Sequence, residues 1–325
     1  MSYVIHMHKQ SLPRRPVTMS LIAMALSMVL GGFSAQAAAL KVLATTNLVA
    51  DLVQSIGGDR VAVTSLMGPG VDPHLYKPTA GDIIKLTRAE VVFYHGMALE
   101  GKMGDLFARL SRQGRSIHAI TQNLPPKEWI VPEESPQHPD PHVWGDPRLW
   151  KNCAQKVQQV LAQLDPDGKD LYIAANQQYT QRLEEWMAWG KALMDRIEPS
   201  KRILITSHDA FNYFGRAFGL KVVGVQGIST ASEAPLADII HVVDLIREQK
   251  IPAIFVESSV SPAIIRRISE DAGVQVGGEL FSDALGALGE KGSFEGRSWD
   301  LGTYAGWLGH NVSTISQAMV SSNAP

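Results

Sequence analysis

Apolar and polar residues recur along the chain at two spacings, which predict short strands and amphipathic helices in succession. Short runs rich in β-branched and aromatic residues predict strands at Lys41–Thr46, Val61–Met67, Val91–Tyr94, Arg202–Thr206, Leu220–Val225, Ala253–Glu257 and Val274–Leu280. Apolar residues at helical spacing predict helices that begin near Gly81 and that cover Ala210–Phe218, Leu236–Glu248 and Ala263–Asp271. Thr79 is placed to cap the first of these helices, and Pro235 and Pro262 stand at the starts of the last two. Strands and helices in alternation predict an α/β fold of mostly parallel sheets flanked by helices.

The longest helical pattern runs from about Asp170 to Ile197, without a proline or a central glycine. A continuous helix of that length would extend about 40 Å. We interpret it as one long connecting helix between two α/β lobes, with an ordinary long helix inside one domain as the alternative. The predicted domains are a signal segment at 1–37, an N-terminal lobe at 38–168, the connecting helix at 169–198 and a C-terminal lobe at 199–325.

The first 37 residues have the layout of a cleavable secretory signal. Basic residues precede an apolar run from Val17 to Leu30, and small residues follow it at Ala35–Ala37. The run is shorter than the roughly twenty apolar residues that a membrane-spanning helix needs. Because no cysteine lies near the expected cleavage point at Ala37, we expect no lipid anchor. The pattern predicts a free protein in the periplasm.

The composition of the chain argues against several classes of partner and cross-link. A formal net charge of −2 offers no basic field that would attract nucleic acid. No later segment is apolar and long enough to cross a membrane. The single cysteine, Cys153, cannot form an internal disulfide, and we expect it in the core. The protein is expected to be a monomer that is not itself embedded in the membrane.

Three histidines and one aspartate carry the candidate chemistry. His74 and His142 each end an Asp-Pro-His triplet, whereas His208 and Asp283 each follow a predicted strand. Ligands in open parallel sheets collect beyond the carboxyl ends of the strands, so we expect the two halves of the chain to bring these residues together. Three imidazoles and a carboxylate suit a divalent transition ion. A single Asp-Pro-His is a common turn, but two copies, each followed by an apolar and an aromatic residue, indicate a shared role.

The segment Asn123–Pro141 is rich in proline, is predicted to be a loop and delivers His142. His138 lies within this loop, and we expect it to be exposed, with transient capture of metal as the alternative. Asp72 and Asp140 begin the two triplets. They are expected either to orient their loops by capping backbone amides or to hold the imidazoles of the histidines.

At these motifs the chain resembles the metal-binding solute-binding proteins of bacterial ABC transporters, in the cluster with a helical backbone. The resemblance covers nearly the whole mature chain and rests on the segments Asp72–Tyr76, Asp140–Trp144, Ser207–Phe214, Gly227–Ala234 and Phe281–Gly286. It implies two α/β lobes joined by one long helix, and metal ligands at His74, His142, His208 and Asp283. It also implies capture of Mn2+ or Zn2+ as the transported ligand in the periplasm, and delivery to an inner-membrane ABC permease with its ATPase.

Differences between the branches of this family leave the metal open. Many manganese and iron binders carry glutamate where this chain has His208. Many dedicated zinc binders carry a histidine-rich loop before the second ligand and a disulfide in the second lobe. This chain has a histidine at 208 but has neither the histidine-rich loop nor the disulfide. It is therefore similar to the mixed branch that handles manganese and zinc. Nitrogen-rich sites favour zinc, which lies above manganese in the affinity order. We therefore expect manganese and/or zinc.

Two other functions stay open from the residues. A secreted zinc-dependent hydrolase fits a site of histidines and a carboxylate, with Glu233 or Glu257 as the base. Neither a His-Glu-x-x-His motif nor a Gly-x-Ser-x-Gly motif occurs in the chain, however. The second alternative is a surface adhesion protein, which the lack of a cysteine for lipid attachment argues against. The carrier hypothesis predicts that the chain is not an enzyme.

Overall fold

The computed structural model describes residues 1–4, 38–133 and 136–321 of the chain. The predicted signal segment at 1–37 lies outside the described residues apart from its first four, and so does its cleavage point near Ala37. From Ala38 onward the described residues form one compact unit. This unit has the predicted fold class, with parallel sheets flanked by helices and one long helix.

The strands and helices alternate along most of the described chain. The strands are β1 (Leu40–Ala44), β2 (Val61–Ser65), β3 (Val91–Tyr94), β4 (Ile117–Ala119), β5 (Ile203–His208), β6 (Lys221–Gln226), β7 (Ala253–Glu257), β8 (Gln275–Leu280), β9 (Lys291–Phe294) and β10 (Arg297–Asp300). The α-helices are α1 (Asn47–Gly57), α2 (Ala80–Arg88), α3 (Met103–Arg112), α4 (Pro147–Leu164), α5 (Lys169–Met194), α6 (Asn212–Phe218), α7 (Leu236–Gln249), α8 (Ala263–Ala272) and α9 (Tyr304–Ser321). Within the described ranges, no helix combines the length and the apolar character that crossing a bilayer requires.

The first half of the unit, which precedes α5, contains one parallel sheet in the strand order β2-β1-β3-β4, and the second half follows α5. Side chains alternate between its two faces, so Val42 joins the main core cluster whereas its neighbour Leu43 joins a smaller cluster on the other face. Helix α1 covers the first face through residues such as Leu52. Helices α2 and α3 cover the second face through Leu86 and Phe107. The central strands are therefore buried on both sides.

The second half contains two parallel strand pairs, β5-β6 and β7-β8, and β5 also contacts β7. Ile205 of β5 and Ile254 of β7 pack with residues of α7 and α8 in a separate cluster. The sequence predicted that β5 ends at Thr206, but the strand continues to His208, which still pairs with Gln226 of β6. Strands β9 and β10 form an antiparallel hairpin that was not predicted.

The predicted start of α2 is confirmed in detail. The hydroxyl of Thr79 accepts the backbone N–H of Asp82 at 3.3 Å, and the carboxylate of Asp82 accepts the backbone N–H of Thr79 at 2.9 Å. This reciprocal pair satisfies two backbone donors that a helix start leaves free. Helices α7 and α8 begin directly after Pro235 and Pro262, as predicted.

Helix α5 is the long helix that the sequence predicts, and its 26 residues correspond to about 39 Å. It ends at Met194, before the predicted end at Ile197. It packs against α1 and α4 from the first half and against α6 and α9 from the second. Its buried apolar side chains belong to the main core cluster, which also includes Trp150 of α4 and Trp307 of α9. This packing fits a rigid connector, while the lobe boundaries at 168/169 and 198/199 stay a prediction.

Candidate metal centre

The four residues predicted as metal ligands lie together in the structure. Each of them offers one ligand atom, and these atoms all lie within 4.8 Å of one another. The Nε2 atoms of His74 and His142 are 3.2 Å apart. The carboxylate of Asp283 lies 3.4 Å from Nε2 of His142 and 3.4 Å from Nε2 of His208. Two donor atoms about 2.0–2.1 Å from one tetrahedral zinc ion would be roughly 3.3 Å apart, close to each of these separations. The two separations from Asp283 end on different oxygens, Oδ1 for His142 and Oδ2 for His208.

Three of the four residues reach the site from the carboxyl ends of strands. His74 lies in the loop after β2, His208 is the last residue of β5, and Asp283 comes shortly after β8. His142 instead follows the proline-rich loop and precedes a single 3-10 turn at Val143–Gly145. The two halves of the chain therefore contribute two residues each, in the arrangement expected for parallel sheets.

All of the candidate ligand residues except one are buried. His142 and His208 are fully buried and Asp283 is 1% exposed, whereas His74 is partly exposed. Nε2 of His208 and Oδ1 of Asp283 are buried without a hydrogen-bond partner. A buried polar atom that lacks a partner destabilises a fold by about 1–3 kcal/mol. These two atoms therefore fit a site that receives a cation.

Burial and neighbouring charge shift the pKa values of the site residues in opposite directions. Burial lowers the pKa of His74 to about 4, so this imidazole is neutral near pH 7. Burial alone would also lower the pKa of His208, but the carboxylates of Glu257 and Asp283 outweigh it and raise that pKa well above its ordinary value. Burial would raise the pKa of Asp283, but the adjacent His208 holds it below its usual range. The carboxylates of Glu257 and Asp283 thus favour positive charge at this point of the structure.

Asp140 holds His142 through both its backbone and its ring. Oδ1 of Asp140 accepts the backbone N–H of His142 at 2.9 Å and lies 2.7 Å from Nδ1 of the ring. Its other oxygen accepts from the side-chain amide of Asn212 at 3.1 Å, and its carbonyl accepts from the hydroxyl of Tyr213 at 3.0 Å. A carboxylate on Nδ1 leaves the lone pair of Nε2 for a metal. Asp140 thus takes both of the roles that were predicted for it.

Glu257 has the same relation to His208, which the sequence did not predict. Its Oε2 lies 2.6 Å from Nδ1 of His208, and its Oε1 accepts the backbone N–H of His208 at 2.9 Å. Glu257 is the last residue of β7 and is 2% exposed. One sequence signal could have found it, because a carboxylate that ends a buried apolar strand needs a hydrogen-bond donor or a positive partner.

We expect Glu257→Gln to weaken Zn²⁺ binding by about 10-fold to 100-fold, because a neutral amide no longer holds the ring of His208 as a carboxylate does. Competition with a chromogenic chelator near neutral pH measures this change. Glu279→Gln, which alters an exposed carboxylate in β8, is the matched control and should bind as the wild-type protein does. Equal affinities of Glu257→Gln and the wild-type protein would contradict the role of Glu257.

Asp72 takes only one of its two predicted roles. Its Oδ1 accepts the backbone N–H of His74 at 2.8 Å, which caps the loop. Among the described residues, however, no carboxylate pairs with Nδ1 of His74, so its ring is not held as that of His142 is. Farther along the loop, the hydroxyl of Tyr76 donates to Asp82 of α2 at 2.8 Å. His74 is therefore the least constrained of the candidate ligands.

The other histidines that the structure describes do not join the site. His138 is exposed in the proline-rich loop, as expected. His95 is 1% exposed beyond the end of β3, its ring Nε2 lies 2.6 Å from the carbonyl of Pro141, and burial lowers its pKa to about 3. The remaining three lie within regular elements: His118 in β4, His241 in α7 and His310 in α9.

The donor set determines what the site can do chemically. Imidazole nitrogens with one carboxylate suit zinc and related divalent transition ions. Four protein donors are typical of closed zinc sites, because catalytic sites use three and keep one position for water. The arrangement therefore suits an ion that is held rather than one that activates a reactant.

Comparison with protein families gives one match over most of the chain. Residues 42–318 match the family described as zinc-uptake complex component A, periplasmic. The matched range contains all four candidate ligands and, apart from the first two residues of β1, the strands of both halves.

Individual proteins are similar over nearly the whole of their own length. The chain is 41% identical over 285 residues to the manganese-binding lipoprotein MntA of Bacillus subtilis (strain 168), covering 86% of this chain and 90% of that protein. It is 38% identical over 283 residues to the zinc-binding protein TroA of Treponema pallidum (strain Nichols), covering 86% of this chain and 88% of that protein. The solved structure of the periplasmic zinc binding protein TroA from Treponema pallidum superimposes with a TM-score of 0.81 at 38% identity, covering 86% of this chain and 99% of that chain.

Proposed function

We propose that this chain, which belongs to the family of periplasmic component A proteins of the zinc-uptake complex, captures one divalent manganese or zinc ion. It then delivers the ion to an ABC importer. The observation that carries the proposal is the convergence of three histidines and one aspartate on one buried point. The partner is the inner-membrane permease of that importer with its ATPase.

The ion is held by both halves of the chain. His74 and His142 come from the first half, and His208 and Asp283 come from the second. Carboxylates already orient the rings of two of these histidines in the structure. Little reorganisation is then needed when the ion enters, and this supports tight capture.

The cargo is manganese and/or zinc. Among the relatives, MntA of Bacillus subtilis is named as manganese-binding and TroA of Treponema pallidum as zinc-binding. The donor set contains three nitrogens and one carboxylate, and nitrogen-rich sites favour zinc in the affinity order. Zinc therefore binds more tightly in solution, whereas metal supply and the permease decide which ion is transported.

The hydrolase alternative gains no support from the family or from the relatives. Of the two bases considered for it, Glu257 uses both of its oxygens on His208, and Glu233 is exposed. We therefore propose a transport component and not an enzyme.

The protein works in the periplasm as a free monomer. Some relatives, including MntA of Bacillus subtilis, are named as lipoproteins. In this chain the one cysteine of the sequence is Cys153, which is buried in α4. Its thiol is not accessible for attachment of a lipid. Mass spectrometry of the exported protein would show an added lipid if this part of the proposal were wrong.

Elemental analysis of the protein purified from its native compartment tests the proposed function. We expect one manganese or zinc ion per chain, and we expect zinc to displace manganese in a competitive titration, since three of the four donors are nitrogens. Asp283→Ala, which removes the one carboxylate ligand, should be purified with far less of either ion. A wild-type protein that carries neither ion and binds neither in titration would contradict the proposal.

A further inference from the structure

Thr230 makes a hydrogen bond that joins the two halves of the chain beside the metal centre. Its hydroxyl donates to Oδ2 of Asp72 at 2.5 Å, between residues 158 positions apart in sequence. The other oxygen of the same carboxylate, Oδ1, accepts the backbone N–H of His74 at 2.8 Å. One carboxylate therefore links Thr230 to the backbone of a candidate ligand.

Thr230 lies in a largely exposed segment, residues 227–235, that connects β6 to α7. Within this segment the backbone N–H of Ala231 donates to the hydroxyl of Ser229 at 3.3 Å. Among the described residues, the bond from Thr230 is the one hydrogen bond that joins the segment to the first half of the chain. Most of the segment belongs to the motif Gly227–Ala234, which contributes no ligand to the site.

His74 is the ligand whose position depends on this link. Asp140 and Glu257 hold the rings of His142 and His208, but His74 is fixed beside the site mainly through its backbone N–H. His74 is also partly exposed, whereas the other three ligand residues are buried. The partly exposed His74 therefore lies on the side of the site that is nearest to solvent.

We propose that Thr230 is a positioning residue that controls how long the captured ion stays bound. The proposal rests on the carrier function above. While Thr230 holds Asp72, the backbone of His74 is fixed and its Nε2 faces the site. When the bond breaks, Asp72 is free to turn and the loop around His74 loosens. The bond from Tyr76 to Asp82 keeps the far end of the loop in place, so the movement stays local to His74.

The test is Thr230→Val, which removes the hydroxyl and keeps the shape of the side chain. We expect Zn²⁺ to dissociate about tenfold faster from the variant of the full chain, the size expected for the loss of one hydrogen bond to a charged group. Stopped-flow transfer of Zn²⁺ to an excess of chelator measures this rate. The rate of Zn²⁺ association should change much less than the rate of dissociation, because the link acts on how firmly His74 is held once the ion is bound. Thr230→Ser restores the hydroxyl and should bring the dissociation rate back to near the wild-type value.

Ser232→Ala is the matched control, because it removes an exposed hydroxyl from the same segment and should leave the rate unchanged. The proposal is overturned if Thr230→Val releases Zn²⁺ at the wild-type rate, or if Thr230→Ser behaves like Thr230→Val. A loss of affinity that comes wholly from slower association would overturn it as well, because Thr230 would then act on capture and not on release. The wild-type protein is measured first in the same experiment. If it does not bind Zn²⁺, the proposed function is overturned, and this result is distinct from any effect of the variants.

Discussion

His208→Ala should lower the affinity for Zn²⁺ by more than about 100-fold, since removing a ligand exceeds the effect of removing a residue that only orients one. The substitution deletes one of four donor atoms at the site. It also leaves the carboxylate of Glu257 buried without the ring to which it is bonded. Competition against chelators of graded affinity would measure the loss.

His138→Ala is the control for this experiment. His138 is the histidine nearest to His142 in sequence, but it is exposed and lies outside the group of four. Its replacement should leave the equilibrium affinity unchanged. Equal losses in the His208 and His138 variants would show that the ion binds elsewhere.

Trp144→Ala should lower the free energy of unfolding by about 3–5 kcal/mol, the usual range for emptying a fully buried tryptophan position. The ring of Trp144 is fully buried, with its centroid 5.2 Å from that of His142 and 5.0 Å from that of His95. Its Nε1 donates to the carbonyl of Ser282 at 3.0 Å, so the indole joins the loops that carry two of the candidate ligands. Urea unfolding of the metal-free protein, followed by circular dichroism, would measure the change.

Two further variants separate the parts of this effect. Trp144→Phe keeps most of the ring and loses the N–H, but the carbonyl of Ser282 still accepts from Nε1 of Trp307 at 3.1 Å. We therefore expect a smaller loss, about 1 kcal/mol. Leu75→Ala alters a neighbour of His74 that is 53% exposed, and it should change stability little. Wild-type stability of Trp144→Ala would contradict the packing described for this ring.

The candidate ligands were predictable because their residue types and local motifs are visible in the sequence. The two Asp-Pro-His triplets already indicate loops that present a histidine, and the structure brings His74 and His142 within 3.2 Å. The bond between Glu257 and His208 was not predictable in the same way. It joins residues 49 positions apart and depends on β5 lying beside β7. No pattern within either strand records that neighbourhood.

The strands and helices were predicted best where apolar residues continue without interruption. β3 and β7 have their predicted bounds. For β5, the apolar run stops before Thr206–His208, yet these polar residues are fully buried because they lead into the site. A pattern based on polarity ends such a strand too early.

Some elements were not predicted for other reasons. The sequence does contain a signal for α1, because Thr46 can cap a helix and leucines follow it at helical spacing. In the structure the hydroxyl of Thr46 accepts the backbone N–H of Val49 and these leucines are buried. The hairpin of β9 and β10 had a weaker signal. It contains Gly292, and its turn contains Gly296, and glycine is depleted in strands. Its position instead follows from packing against α9.

Helix α5 has a consequence for recognition by the importer. Helices of both halves pack against α5, and α5 contains no proline at which it could bend. A rotation of one half relative to the other would have to disrupt this packing. The overall shape of the molecule should therefore differ little between its metal-bound and metal-free forms. The importer must then distinguish the metal-bound form from the metal-free form by the conformation of a few surface loops. Antibody fragments selected for the loaded form alone should, for the same reason, have small epitopes at the rim of the site.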